Sequence, residues 1–439
     1  MLQRREPLSF AAMNRHLYNL LFHLCLPLIG LRLMWRAWRA PAYSKRIGER
    51  FAFGLPALRS GGIWVHAVSV GESIAAAPLV RELLARYPDL PITLTCMTPT
   101  GSERIRALFP EAQFAGRVQH CYLPYDLPWA ASRFLSRVRP RLAVIMETEL
   151  WPNYIHQCAR RGIPVALANG RLSARSAKGY ARFAKLTAPM LAELNLLAVQ
   201  TEVEAQRFIA LGARPETVAV TGSIKFDQQV DADLLARATA LRAQWQAQQR
   251  PVWIAASTRE GEDALVIQAH QRLLATQPDA LLILVPRHLE RFDSAAVQLR
   301  EAGLACVRRS SGEAVSPGVQ VLLGDSMGEL MFLYSLADIA FVGGSLVETG
   351  GHNPLEPAAL GLPVIMGPHR FNFQEITAKL LERGALCEVT DAEALGTQVA
   401  LLLAEPTRAL AMRDAGLAVL KANQGALQRL LDGLARLLA

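Results

Sequence analysis

The chain has 439 residues, of which 51% are hydrophobic and 19% charged. That length suggests two or three domains of roughly 100–200 residues each, and the apolar share excludes a collagen, a disordered tail or a disulfide-stapled mini-protein. Lysine and arginine total 47 against 38 acidic residues, and the net charge of +9 favours anionic partners: nucleotides, phosphorylated lipids, a membrane surface or nucleic acid.

The first element is apolar. Leu17 to Leu31 carries no formal charge, but it is 15 residues long and contains Pro27, whereas a spanning helix needs about 20 residues. Behind it stand Arg32, Arg36, Arg39, Lys45, Arg46 and Arg50, with Trp35 and Trp38 interleaved. Tryptophan beside arginine suits a lipid interface, because the ring is amphipathic and the surface anionic. No small-residue cleavage site follows Leu31, which argues against a signal peptide. A buried core helix is the plain alternative. The expectation is a short anchor with its basic flank on the cytoplasmic side, either spanning or lying flat.

From residue 62 short apolar runs alternate with helical stretches. Strands are expected at Ile63–Val68, Ile92–Cys96, Leu142–Met146, Val165–Ala168 and Leu196–Gln200. A second set is expected at Val252–Ala256, Leu281–Val285, Val319–Leu323, Ile339–Val342 and Val364–Met366. A helix is expected over Glu72–Arg86. Apolar runs of four to six residues with helix-length gaps argue for parallel strands in βαβ units. The two sets give two Rossmann-like domains facing a cleft, an α/β architecture, with the break in the polar stretch near 222–250. The boundaries expected are 1–50 for the anchor and basic flank, 51–222 for the first domain and 223–439 for the second. Ligands in such sheets sit at the carboxyl ends of the strands, so the loops there are where chemistry is sought.

Five such places stand out. Ser69-Val70-Gly71-Glu72 follows the first strand, so Glu72 is either a helix-start carboxylate or a general base. Glu147-Thr148-Glu149 follows Leu142–Met146, and the two glutamates share a face if the strand continues. Carboxylates there are costly unless paired, for instance with Arg171 or Arg175, or functional. Lys225 lies at the junction of the halves and could hold an anion, or be a surface lysine. Arg287-His288 offers a fork and a ring to a phosphate or base. The glycine-rich segment Gly343–Pro357 is the richest, with Asn353 as an N-cap, Pro354 as the first helical residue, Glu356 in the first turn, and free N–H groups for a phosphate. It is neither GxxxxGK[ST] nor GxGxxG, which excludes a P-loop ATPase and disfavours NAD. Asp231-Ala232-Asp233 matches a DxD metal pattern but reads as a solvated helix start. The six cysteines are scattered, with no CxxC pair, which fits a reducing compartment and buried filler roles. No metal site and no cofactor are expected.

The stretches WVHAVSVGE, TPTGSERI, LPYDLP, METELWPN, NGRLSARS, QTEVEAQRF, GSIKFD, ASTREGED, LVPRHLERF, GDSMGEL and GGSLVETGGHNPLEPAALGLPVIMGPH occur in this order over about residues 62–375. Together they resemble the bacterial 3-deoxy-D-manno-octulosonic acid (Kdo) transferase family. The dozen residues before Met13 read as either a start-site variant or an extension. The resemblance implies a GT-B glycosyltransferase fold with an acceptor domain followed by a donor domain. It implies an inverting transfer of Kdo from CMP-Kdo to the lipid A precursor lipid IVA, in lipopolysaccharide biosynthesis at the cytoplasmic face of the inner membrane, with no nucleic acid partner. Glu72 matches the family's general base. Glu147 and Glu149, of which Glu147 is preferred, and Lys225 match positions that stabilise the transition state. Arg287 and His288, Met327, Gly328 and Glu329, and Asn353, Pro354, Leu355 and Glu356 match CMP-binding segments. Other readings of the same residues are a UDP-sugar transferase, an epimerase or hydrolase of the same fold, and a non-catalytic membrane module.

Overall fold

The computed structural model describes residues 13–228, 230–245 and 250–439. The start-site variant or extension expected before Met13 and the end of the polar stretch, 246–249, lie outside the described residues. The chain through Ile224, together with Gln424–Ala439, forms one compact unit, and Lys225–Asn423 form the second.

The first unit is built on a parallel sheet of β1 (Ile63–His66), β2 (Ile92–Cys96), β3 (Val118–Tyr122), β4 (Leu142–Met146), β5 (Val165–Gly170), β6 (Leu196–Val199) and β7 (Val218–Val220). Its order is β3-β2-β1-β4-β5-β6-β7, with Ile63 opposite Ile92 on one side and Leu142 on the other. Alternate residues of the central strands enter opposite cores. Ile63, Val65, Leu142, Val144 and Met146 face one cluster, and Trp64, Ala143 and Ile145 the other. Burial on both faces is why these strands read as unbroken apolar runs.

The second unit repeats the plan with β8 (Val252–Thr258), β9 (Leu281–Pro286), β10 (Cys306–Arg308), β11 (Val321–Leu323), β12 (Ile339–Val342), β13 (Val364–Met366) and β14 (Leu386–Glu388), ordered β10-β11-β9-β8-β12-β13-β14. Two parallel seven-stranded sheets wrapped by helices are the expected α/β, GT-B-like architecture. Ten strands stand where the sequence puts them, within one or two residues at their ends. The four it does not indicate, β3, β7, β10 and β14, are the four sheet edges.

The end of the chain departs from the expected boundaries. Helix Ala426–Leu438 buries Leu427, Leu430, Leu431 and Leu434 in the first unit's core against residues such as Leu83 and Val144. The domain that opens after 222 therefore does not run to residue 439, because this apolar helix face finds its partner in the first unit. Asp231 caps helix Ala232–Gln244 by accepting from the Asp233 N–H, which is the solvated helix start the sequence suggests. All six cysteines are free, and Cys96, Cys121 and Cys158 are buried.

The apolar N-terminal run forms two helices, Arg15–Leu24 and Leu26–Arg39, bent by 51° at Cys25. Among the described residues no single helix is long and apolar enough to cross a membrane. A buried core helix is not what forms either, since the first helix buries no residue and the second only Leu33. One face is held by the unit: Phe22 and Leu26 pack on Ala52, Leu127 and Ala130, and the Tyr18 hydroxyl donates to buried Asp126 at 3.0 Å. Asn153 Nδ2 also donates to Asn19 Oδ1 at 2.7 Å. The other face exposes Leu20, Leu24, Leu28, Leu31, Met34, Trp35 and Trp38.

Candidate active site

The first cluster lies at the carboxyl ends of β1 and β4. Ser69 caps helix Val70–Arg86: its hydroxyl accepts the Glu72 N–H at 3.4 Å, the first half of a capping box. The Glu72 carboxylate turns back, accepting the Val68 N–H at 2.8 Å and the Ser69 hydroxyl at 3.3 Å. So the helix-start role and a position at a strand end belong to the same side chain. Burial, reinforced by the charges of Glu149 and Glu147 and opposed by those two hydrogen bonds, pushes the Glu72 carboxyl up from 4.5 to about 7.

The strand that would put Glu147 and Glu149 on one face stops at Met146. Glu147 takes a left-handed backbone, φ 53°, while its N–H donates to the Ala168 carbonyl at 2.9 Å. The chain there leaves the sheet instead of alternating. Glu149, half-buried, is raised above the ordinary carboxylate range by burial and by Glu147. Among the described residues it makes no ion pair, so Arg171 and Arg175 do not neutralise it. The segment is fixed from below: the Tyr180 hydroxyl donates to Thr148 O at 3.3 Å, and buried Asp126 accepts the N–H groups of Asn153 and Tyr154, both at 3.1 Å. A carboxyl held near neutrality by burial and by the charges of two neighbouring carboxylates suits proton abstraction.

The second cluster belongs to the other unit. Arg259, just past the end of β8, donates from Nη1 to His288 Nε2, and from Nε to His352 Nε2 at 3.3 Å. Arg287 stands beside them, its N–H bonded to Thr258 O at 3.0 Å. Burial first, then the charges of Arg287 and Arg259, push His352 down to about 3, and the same causes lower His288. These causes favour the neutral form of both rings, in which a ring nitrogen can accept from Arg259. Among the described residues Arg259 and Arg287 form no ion pair, whereas neighbouring Arg291 is bound to buried Asp263. Two guanidinium groups without an ion-pair partner among the described residues, flanked by imidazoles, could hold an anion.

The remaining expected residues fall around this unit. Met327 is exposed and Gly328 has φ 87°, while Glu329 bonds Ser326 and Arg309. The helix after the glycine-rich loop is Leu355–Ala359, one residue later than expected, with Pro354 at its cap position. Asn353 still caps it, accepting the Leu355 N–H at 3.1 Å and donating to Glu356 at 3.2 Å. Glu356 and Arg287 both act electrostatically on buried Tyr334. The loop's free N–H groups are not as expected. Those of Gly344, Ser345 and Leu346 are already taken by the buried carboxylate of Glu262. Lys225 is the first residue of the second unit, in the turn Ile224–Phe226, whereas the three glutamates belong to the first. Arg259 and His352 were not singled out in the sequence, although the rule that chemistry follows the strand ends would have found Arg259.

A family model described as 3-Deoxy-D-manno-octulosonic-acid transferase (kdotransferase) matches residues 45–228, and one described as Glycosyl transferases group 1 matches 264–418. The chain is 47% identical over 423 residues to a 3-deoxy-D-manno-octulosonic acid transferase of Haemophilus influenzae, covering 96% of this chain and 98% of that one. It is 42% identical over 435 residues to the transferase of the same description from Bordetella pertussis, covering 96% and 99%. The crystal structure of UDP-GlcNAc 2-epimerase from Neisseria meningitidis bound to UDP-GlcNAc shares the fold, with a TM-score of 0.56 at 14% identity over 85% of this chain and 100% of that one. Near-complete coverage at such identity, over a fold of two parallel sheets with matching motifs at their strand ends, makes the chain a member of the Kdo transferase family of glycosyltransferases.

Proposed function

We propose that this glycosyltransferase moves Kdo from CMP-Kdo to the lipid A precursor lipid IVA, with inversion, and that Glu72 is its general base. The observation that carries the reading is the half-buried carboxylate cluster. A carboxyl with its midpoint at about 7 is a base matched to neutral pH, and it sits at a strand end beside two further carboxylates. In the step proposed, an acceptor hydroxyl attacks the anomeric carbon of Kdo and gives its proton to Glu72. The bond from that carbon to the CMP phosphate oxygen breaks, and CMP leaves with the electron pair. Cationic character at the carbon is offset by the nearby carboxylates, Glu147 and Glu149. Arg259, Arg287, His288, Lys225 and the Asn353–Glu356 segment serve the departing nucleotide, with the Glu356 carboxylate suited to a ribose diol.

Attachment to the inner membrane from the cytoplasmic side belongs to the same reading. The helices Arg15–Leu24 and Leu26–Arg39 are pinned to the first unit along one face and expose leucines and tryptophans on the other. Such a pair favours lying in the interface over spanning it. Substituting Glu72→Gln tests the chemistry: transfer should fall by about 10²–10⁴-fold, the usual contribution of a general base, with donor binding retained. Full activity in the folded variant removes Glu72 from the mechanism.

A further inference from the structure

Glu262 is the first residue of helix Glu262–Leu274 and is fully buried. A carboxylate in that position is costly unless its oxygens are all engaged. Here they are. Oε2 accepts the N–H groups of Gly344 at 2.6 Å and Arg259 at 2.8 Å. Oε1 accepts those of Ser345 and Leu346, both at 2.9 Å. Three consecutive amides of the turn after β12 and one amide after β8 thus converge on a single side chain.

What these four amides carry is the anion cluster. Arg259 is itself one of the anchored residues. The turn in turn seats His352, whose N–H donates to Gly343 O at 3.2 Å, while the Gly351 N–H donates to Gly344 O at 2.6 Å. There is little slack around the turn. A Cβ on Gly343 would lie 2.8 Å from the Thr258 backbone, and one on Gly344, at φ 68°, would lie 3.0 Å from His352 and Thr349. We propose that Glu262 is a positioning residue: it ties the loop after β8 to the glycine turn after β12, and so sets the Arg259–His288–His352 group that receives the donor phosphate. The role rests on the donor reading above. It requires a carboxylate, because a carboxamide of the same shape keeps one oxygen and presents N–H groups to amides that need acceptors.

The test compares wild type with Glu262→Gln and Glu262→Asp, measuring CMP affinity by calorimetry and melting temperature in parallel. Leu395→Ala serves as the control, since it opens a cavity in the same unit's core but removes none of the hydrogen bonds that hold the cluster. Losing the anchor should raise the CMP Kd by about tenfold to a hundredfold, with the shorter Asp giving partial rescue. The control should melt lower with its Kd unchanged. If Glu262→Gln does not fold, Gly344→Ala displaces the same turn from its other side and should weaken CMP to a similar degree. A folded Glu262→Gln protein with wild-type CMP affinity overturns the proposal. UMP is titrated as well. A wild-type preference for UMP contradicts the donor reading, and the ratio of variant to wild-type affinity for UMP then decides the positioning role.

Discussion

With Glu72 as the proposed general base, the acid limb of the pH profile should report its state. With its carboxyl raised to about 7, only about one-tenth of the protein carries the ionised base at pH 6, whereas a carboxyl at the ordinary 4.5 would be almost wholly ionised there. The sign is fixed by the chemistry: the base must be deprotonated, so kcat/KM rises with pH and levels off above about 7. Burial is the largest cause of the shift and the charge of Glu149 adds to it. Glu149→Gln removes that charge, favours the ionised form of Glu72, and moves the midpoint to lower pH. The plateau of Glu149→Gln should fall if this residue also offsets charge in the transition state, but the shape of the profile is independent of its height. The assay is initial-rate transfer between pH 5 and 9 at subsaturating acceptor, with donor saturating. Because three carboxylates share the site, the midpoint belongs to the group. A wild-type midpoint near 4.5, or a Glu149→Gln profile that stays in place, would refute the electrostatic argument.

Arg259→Ala should raise the donor KM by about tenfold to a hundredfold, the value of a charge-assisted hydrogen bond to phosphate, without lowering the melting temperature appreciably. Leu430→Ala, in the C-terminal helix, should destabilise the first unit by about 2–5 kcal/mol, read by denaturant or thermal melting, because the side chain is fully buried there. A wild-type melt would mean that the helix does not dock as described. Replacing Leu24, Leu28 and Trp35 together by glutamine should abolish co-sedimentation with anionic vesicles while transfer to a detergent-dispersed acceptor persists. Vesicle binding that survives would move the lipid contact away from these helices.

The sequence disclosed the centre of each sheet and not its margins. A central strand such as Leu142–Met146 is buried on both faces, so every residue is apolar and the run is unmistakable. β3 reads VQHCY, β10 CVR and β14 LCE, because an edge strand has one neighbour and tolerates polar side chains. A three-residue edge leaves no pattern to find. The site divides in the same way. Glu72 and the Glu147–Glu149 pair were visible as carboxylates at strand ends. Glu262 was not, since three of its four partners lie more than 80 residues away and all are backbone amides, which no residue type announces. The left-handed turn at Glu147 was equally hidden, for a glutamate gives no hint of positive φ. The C-terminal helix has an evident apolar face, but an apolar face does not name the core that takes it.

The central claim is the transfer of Kdo to a phosphorylated lipid acceptor, and mass spectrometry of the lipid tests it most directly. Purified protein is incubated with lipid IVA and a CMP-Kdo supply, with EDTA present and no added metal. A mass gain of one Kdo, or of several, is the predicted result. An unchanged lipid IVA mass with folded protein, together with transfer from a UDP-sugar, would contradict the account.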